Sequence, residues 1–527
     1  LTPNGKVDRR ALPNPQGRPE ELGEYVPPRT ELERIIADLW AQLLRVDRVG
    51  MNDSFFALGG HSLLALNMLY RLNQGFSCDL RIADVYSGPT VKGIAERIRG
   101  ESKDDDVVSA DSDGQLDPEI VPSTVPRSVP SKSILLTGGA GFVGRFLLAQ
   151  LLQDTEATIY CLLRASSARE AMLRIKEVLS VWNLWRLEFE RRIVAIPGDL
   201  RLPAFGIDHE TYVHLSEEID EIYHCATSMN HLETYAMAKA SNVESTRELL
   251  RLATCNKQKL INYISTLGVF SSRTTVDSRE VYETTDIRGE RHGASRGYVA
   301  SKWMAENIFK RATERGVPCN VFRLGLVWAD RLHGRYDDLQ REYRILKSCL
   351  VSGYGIEGYK YDMAPTPVDY VARAVVFLGT RHVDGGKVFH ITSTGQAIGD
   401  VFERCNEIAG ASLEIIKPYE WMSEIKRLHH GGKSMPIVPL VEITFSLDRK
   451  SFDEHQRREN SWNVRVNCDL THSELEQAGI VAPTLDDSLL KRCLDCMYSR
   501  DRDVREAIDE RRRRVGRRSA NESPIDI

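Results

Sequence analysis

No run of about 18 apolar residues occurs anywhere in the chain, so no membrane-spanning helix is expected. One sign of charge does not dominate either. Against 75 Asp and Glu stand 70 Lys and Arg, for a net charge of -5 over 527 residues, which gives no footprint for nucleic acid or a membrane surface. A secretory leader is missing: "LTPNGKVDRR" has neither an initiator Met nor an apolar core, and it reads as the interior of a longer polypeptide. The ten cysteines lack a disulfide or metal pattern, as expected of reduced thiols in a cytoplasmic protein. Their one CxxC, Cys493 to Cys496, lies in the helical pattern "LLKRCLDCMY" with no second pair, so no metal is expected.

What is present divides the chain. In residues 25–100, Thr30 and Glu33 have capping-box spacing, and Leu32, Ile35, Ile36, Leu39 and Leu43 follow at helical intervals. A Gly- and Asp-rich loop leads to a second helix starting at Ser62, and a last helix starts at Thr90, giving a small four-helix module. Residues 101–132 are rich in Asp, Ser and Pro without apolar period and read as a flexible linker. From 133 to 500, short β-rich runs such as "SILLTG", "ATIYCLL", "RIVAIPGDL" and "LINYIST" alternate with helical stretches. That alternation predicts a parallel, Rossmann-type α/β sheet, with a less regular substrate-covering subdomain after about residue 330. The basic stretch 501–527 reads as a disordered tail.

Ser62 in "DSFFALGGHSLLAL" has no acid or base near it in sequence. At a helix start its hydroxyl would sit where backbone N–H groups and the helix dipole favour an attached phosphate, while Gly59 and Gly60 leave access. A plain N-cap serine is the alternative. Further on, "SILLTGGAGFVGRFLL" places Gly138, Gly141 and Gly144 between a strand and a helix, so the backbone at Gly141, Phe142, Val143 and Gly144 can approach a pyrophosphate. Where a NAD-selective site has an acid, this chain has Arg164, and Arg174 follows in the next helix. A guanidinium there suits the 2'-phosphate of NADPH. Asp199 and Leu200 follow the third strand and border the expected adenine position. Tyr298 and Lys302 have YxxxK spacing on one helix face, downstream of a strand ending at Thr266.

The helical module resembles the carrier (thiolation) domain of nonribosomal peptide synthetases, whose motif serine bears a 4'-phosphopantetheine arm, which puts the arm on Ser62. "LTPNGKVDRRALP" resembles the last motif of an adenylation domain, so residues 1–24 are its expected remnant, with Lys6 at the position of its catalytic lysine. Residues 133–500, including "TPVDYVARAVVFL" and "DLTHSELEQAGIVAP", resemble the thioester reductase (R) domain of these synthetases and of carboxylic acid reductases, in the extended short-chain dehydrogenase/reductase superfamily.

The resemblance implies NADPH-dependent release of a carrier-bound thioester as an aldehyde, or onward as an alcohol, with Thr266, Tyr298 and Lys302 as the catalytic set. The implied partners are an upstream adenylation domain and a phosphopantetheinyl transferase. A Lys302 ammonium about 5 Å from the phenol would lower the Tyr298 pKa by about two units. A non-redox Dieckmann-type cyclising release and an epimerase or dehydratase remain the alternatives.

Overall fold

The computed structural model describes residues 24–521 except 61, 77, 79, 81, 101–107, 109–112, 231–232, 272–278, 294–295, 360–364, 395–400, 442–463 and 485. The chain separates into two compact units, Leu1–Asp106 and Val107–Ile527. Lys6 and the "LTPNGKVDRRALP" stretch lie outside the described residues.

The first unit is the expected four-helix module: α1 Glu31–Leu44, α2 Ser62–Phe76, α3 Ile82–Ser87 and α4 Val91–Ile98. The capping box at its entrance forms as the spacing predicts. Glu33 N–H donates to the Thr30 hydroxyl at 3.2 Å, and Thr30 N–H donates to the Glu33 carboxylate at 2.9 Å. Trp40 of α1 meets the Phe55 ring edge-on at 4.9 Å, and Ile36, Leu69, Val91 and Ile94 close the core around them.

The second unit is built on a parallel sheet. In chain order its elements begin β1 Ser133–Thr137, α5 Phe142–Asp154, β2 Thr158–Leu163, α6 Ala168–Val181, β3 Ile193–Pro197, α7 His209–Glu218 and β4 Glu221–His224. They continue α8 Tyr235–Lys239, a π turn Ala240–Glu244, α9 Ser245–Thr254, β5 Leu260–Thr266, β6 Arg279–Val281, α10 Gly297–Glu314 and β7 Cys319–Leu324. Next come β8 Leu326–Trp328, α11 Arg341–Ser352, β9 Tyr354–Ile356, β10 Pro365–Pro367, α12 Val368–Arg381 and β11 Val388–Ile391. The C-terminal part holds α13 Val401–Ala409, β12 Glu414–Ile416, α14 Pro418–His430, β13 Val464–Val466, α15 Asp469–Gln477, α16 Asp487–Arg500 and α17 Arg502–Asn521.

Seven of these strands pair in the order β11-β7-β5-β4-β1-β2-β3, every pair parallel. Strands covered on both faces read as continuous apolar runs, and β1 is buried at all five residues. Strand order reverses between β1 and β4, which opens a crevice at their C-terminal ends where such sheets bind ligands.

Two sequence expectations are corrected here. The linker assignment of 101–132 does not hold for 113–132. Leu116 and Ile120 are buried in the core of the second unit together with Val108, whose N–H donates to the His292 carbonyl at 2.9 Å. Lys239, Arg247, Arg251 and Arg315 grip the carboxylates and carbonyls of Asp113 to Ile120. Composition counted this strap as too polar to fold alone, but the surface that orders it comes from elsewhere in the chain. The tail assignment of 501–527 fails in the same way over α17. Val504 and Ile508 are buried, and Arg511 donates to the carbonyls of Leu350 and Ala411. The CxxC lies on a helix, α16, where Cys493 faces inward and takes the Trp328 indole N–H at 3.3 Å. Among the described residues no group of Cys, His, Asp and Glu could hold a metal, and no helix is long and apolar enough to cross a membrane.

Candidate active site

The glycine turn after β1 has the shape that a dinucleotide requires. Gly138 adopts φ 76°, and a Cβ there would stand 2.6 Å from the Ala226 nitrogen across the crevice. A Cβ on Gly144 would lie 2.0 Å from the Gly138 carbonyl oxygen, so only glycine lets α5 pack against the turn. Gly141 caps α5 with no side-chain hydrogen bond, leaving first-turn amides of Phe142 and Val143 available to an anion. The residues present therefore fit a pyrophosphate. Across the crevice, Thr137 Oγ1 contacts His224 Nδ1 at 2.8 Å and accepts from Ala226 N–H at 3.2 Å, tying the end of β1 to the chain after β4.

At the end of β2, Arg164 is exposed, and the Arg174 guanidinium folds back onto the Arg164 carbonyl at 3.1 Å. The structure thus brings both arginines to one corner. Asp199, after β3, faces the same corner. A two-pronged hydrogen bond from Arg201, with help from Arg164, holds its carboxyl below the usual range. Leu200 is half-buried and packs on the core beneath. Arg201 escaped the sequence reading because it lies past the strand, in a turn without periodicity.

Thr266, Tyr298 and Lys302 converge although 32 residues separate the first two. The Thr266 hydroxyl accepts from Gly268 N–H at 3.1 Å, and it lies near enough to the Tyr298 phenol to oppose the rise of its pKa. One turn along α10, Lys302 Nζ donates to the Ile264 carbonyl at 2.7 Å and stands 4.6 Å above the Tyr263 ring. The expected lowering of the Tyr298 pKa by Lys302 is not found. Burial pushes the phenol up to about 12, against a smaller opposing effect of Thr266. Burial also brings Lys302 down to about 8, opposed by Cys225 and Glu306. For both groups the largest effect is burial, which disfavours the charged form of each.

The fold adds groups that no sequence spacing marked. Asn242, in the π turn, accepts from Ser228 N–H at 2.7 Å and donates to Ser301 Oγ at 2.9 Å, linking the loop after β4 to α10 beside Lys302. His224 is held neutral, its pKa lowered to about 3 by burial and by Lys302. Cys225 borders the same space, its thiol pushed up to about 11 by burial.

In the first unit, α2 begins at Ser62 as expected, and Ser62 is one of the residues whose side chains are not described. Gly59 takes φ 94° in open space. A Cβ on Gly60 would stand 2.3 Å from the Phe55 ring, so this glycine serves packing rather than the access anticipated for it.

Two family models match the chain. One is described as phosphopantetheine attachment site, over residues 34–98, and the other as male sterility protein, an NAD-binding model, over 136–375. A subunit of linear gramicidin synthase from Brevibacillus parabrevis is 32% identical over 509 residues, covering 94% of this chain and 10% of that protein. The L-2-aminoadipate reductase large subunit of Penicillium chrysogenum is 27% identical, covering 92% of this chain and 36% of its own length. The chain thus spans only a minor part of these relatives. Among solved structures, the terminal R domain of the myxalamid pathway superposes with a TM-score of 0.64 at 30% identity, over 74% of this chain and 97% of that one. A thiolation–reductase di-domain from an archaeal synthetase matches in fold, with a TM-score of 0.68 at 23% identity over 91% of this chain and 100% of that one.

Proposed function

The chain belongs to the carrier-plus-reductase family of nonribosomal peptide synthesis, and from that premise we propose that it reduces an acyl thioester borne on Ser62 and releases it as an aldehyde. Ser62 is the attachment point of the 4'-phosphopantetheine arm, so it needs no neighbouring base. A phosphopantetheinyl transferase installs the arm, and an adenylation domain of the same synthase loads it.

Bound NADPH supplies the hydride. The turn at Gly138, Gly141 and Gly144 holds the pyrophosphate at the α5 N-terminus, and Arg164 with Arg174 takes the 2'-phosphate. As negative charge builds on the thioester oxygen, Thr266 and Tyr298 hydrogen-bond it and Tyr298 delivers the proton; the hemithioacetal so formed then collapses, its C–S bond breaking to leave the aldehyde and the free thiol of the arm. With a pKa near 12 the phenol is protonated at neutral pH, as a donor must be. The Lys302 cation, one turn away, stabilises the phenolate left behind. Because its pKa is about 8, that help is present at pH 7 and is lost as the pH rises through 8.

The observation that carries this reading is the Thr266–Tyr298 hydroxyl pair, with Lys302 on the same helix face at the crevice end of the sheet. The test loads Ser62 with an acyl-pantetheine, adds NADPH, and follows NADPH absorbance while the product is identified by mass. Aldehyde formed with matching loss of NADPH is expected. Release of a cyclised product with NADPH unchanged would overturn the reading.

A further inference from the structure

Behind the catalytic face lies a buried charged network that the mechanism above does not use. Glu306 stands one turn beyond Lys302 on α10, so Tyr298, Lys302 and Glu306 are spaced four apart along one face. Both of its carboxylate oxygens are engaged. Oε2 accepts from the hydroxyl of Ser265, the residue before Thr266, at 2.8 Å. Oε1 accepts from Arg323 Nε of β7 at 2.7 Å and also from Nη2 of the same guanidinium. Arg323 is itself held on further sides. Its Nη1 faces His390 Nε2 of β11 at 3.2 Å, its guanidinium lies 4.8 Å over the Phe270 ring, and His390 Nδ1 meets the Asn467 carbonyl at 2.7 Å. Glu306 and Arg323 side chains are each 3% exposed.

A buried ion pair seldom stabilises a fold better than apolar side chains of equal volume. Its placement is what distinguishes this one. The groups facing Lys302 are His224 and Cys225 at the end of β4, Tyr263 on β5, Tyr298 and Glu306 on its own helix. Burial holds His224, Cys225, Tyr263 and Tyr298 neutral across the middle of the pH range. Glu306 is the carboxyl group of the set, and Ser265 and Arg323 prevent it from turning away.

We propose that Glu306, pinned between Ser265 and Arg323, is a positioning residue of the reductase: it locks the Thr266 end of β5 to α10 and provides the counter-charge that keeps Lys302 a cation. The inference rests on the assignment of Tyr298 and Lys302 to the reduction. Because Glu306 raises the Lys302 pKa against burial, its loss lowers that pKa, and the form active at low pH is lost earlier as the pH rises.

The experiment measures kcat against pH, with NADPH and a soluble S-acyl pantetheine, and NADPH affinity against pH by fluorescence. Glu306→Gln should move the alkaline limb of both profiles down by about one to two pH units, the size of one opposite charge at side-chain distance. This variant leaves Arg323 buried without its partner and is prone to unfold, so Glu306→Gln/Arg323→Gln, which removes both charges, is measured alongside. It should fold and retain part of the shift, because the opposing charge of Arg323 is lost together with that of Glu306. Ser265→Ala removes the tether but keeps the charge, and should lower kcat while leaving the limb in place. A folded double variant with the parent limb would overturn the proposal, as would a limb moved equally by Ser265→Ala. A parent chain that binds NADPH but does not oxidise it would overturn the assignment of Tyr298 and Lys302, and this inference with it.

Discussion

At the scale of single residues, two side chains carry separable parts of the proposed chemistry. Tyr298→Phe keeps the ring that packs against the cleft and deletes only the hydroxyl near Thr266. Folding and NADPH binding should persist, while the single-turnover rate on a soluble thioester falls about 10²–10⁴-fold, the size of a lost general acid. A rate near the parent's would assign the proton to another donor. Arg164 is exposed and free of the core, so Arg164→Ala should leave stability untouched. Its NADPH affinity should fall about ten- to a hundred-fold, with NADH nearly unchanged, because only NADPH carries the 2'-phosphate. Equal losses measured by titration with each cofactor would remove the phosphate role. Both residues were legible in the sequence: YxxxK is a local spacing on one helix, and Arg164 follows the glycine turn by one βαβ step. Asn242, Arg201 and Glu306 were not, because their partners come from distant segments.

At the scale of elements, the strap of residues 113–132 is where tertiary structure overrides composition. Its prolines and acids resist helix and strand, so it joins the second unit through Leu116, Ile120 and a row of arginine contacts to its backbone. Ile120 is fully buried. Ile120→Ala should therefore cost the second unit about 2–5 kcal/mol in urea unfolding, like other large-to-small core changes. A cost near zero would mean that the strap merely lies on the surface. Helix α17 follows the same logic: its arginine-rich sequence reads as solvated, yet Val504, Ile508 and the Arg511 hydrogen bonds dock it against α11 and the loop before β12.

At the scale of the whole molecule, a helical module and a dinucleotide-type sheet form separate compact units, dividing between Asp106 and Val107 rather than at residue 133. The residues proposed for the chemistry divide between them in the same way: a serine at a helix start in one, and Thr266, Tyr298 and Lys302 beside the crevice in the other. The seven-stranded order, with its reversal between β1 and β4, places the ends of β1, β2, β4 and β5 along one edge. Along that edge lie the glycine turn, Arg164 and Thr266 of the second unit.

The sequence by itself determined the two folding patterns, the glycine turn, the arginine at the end of β2 and the YxxxK face. Each is a short-range signal, set by backbone sterics or by helix and strand periodicity, and survives without knowledge of partners. Only the tertiary structure decided the protonation balance of Tyr298 and Lys302, the order of the strap and of α17, and the Ser265–Glu306–Arg323 network. These depend on desolvation and on contacts between segments far apart in the chain, quantities that come into being only when the chain folds and water leaves.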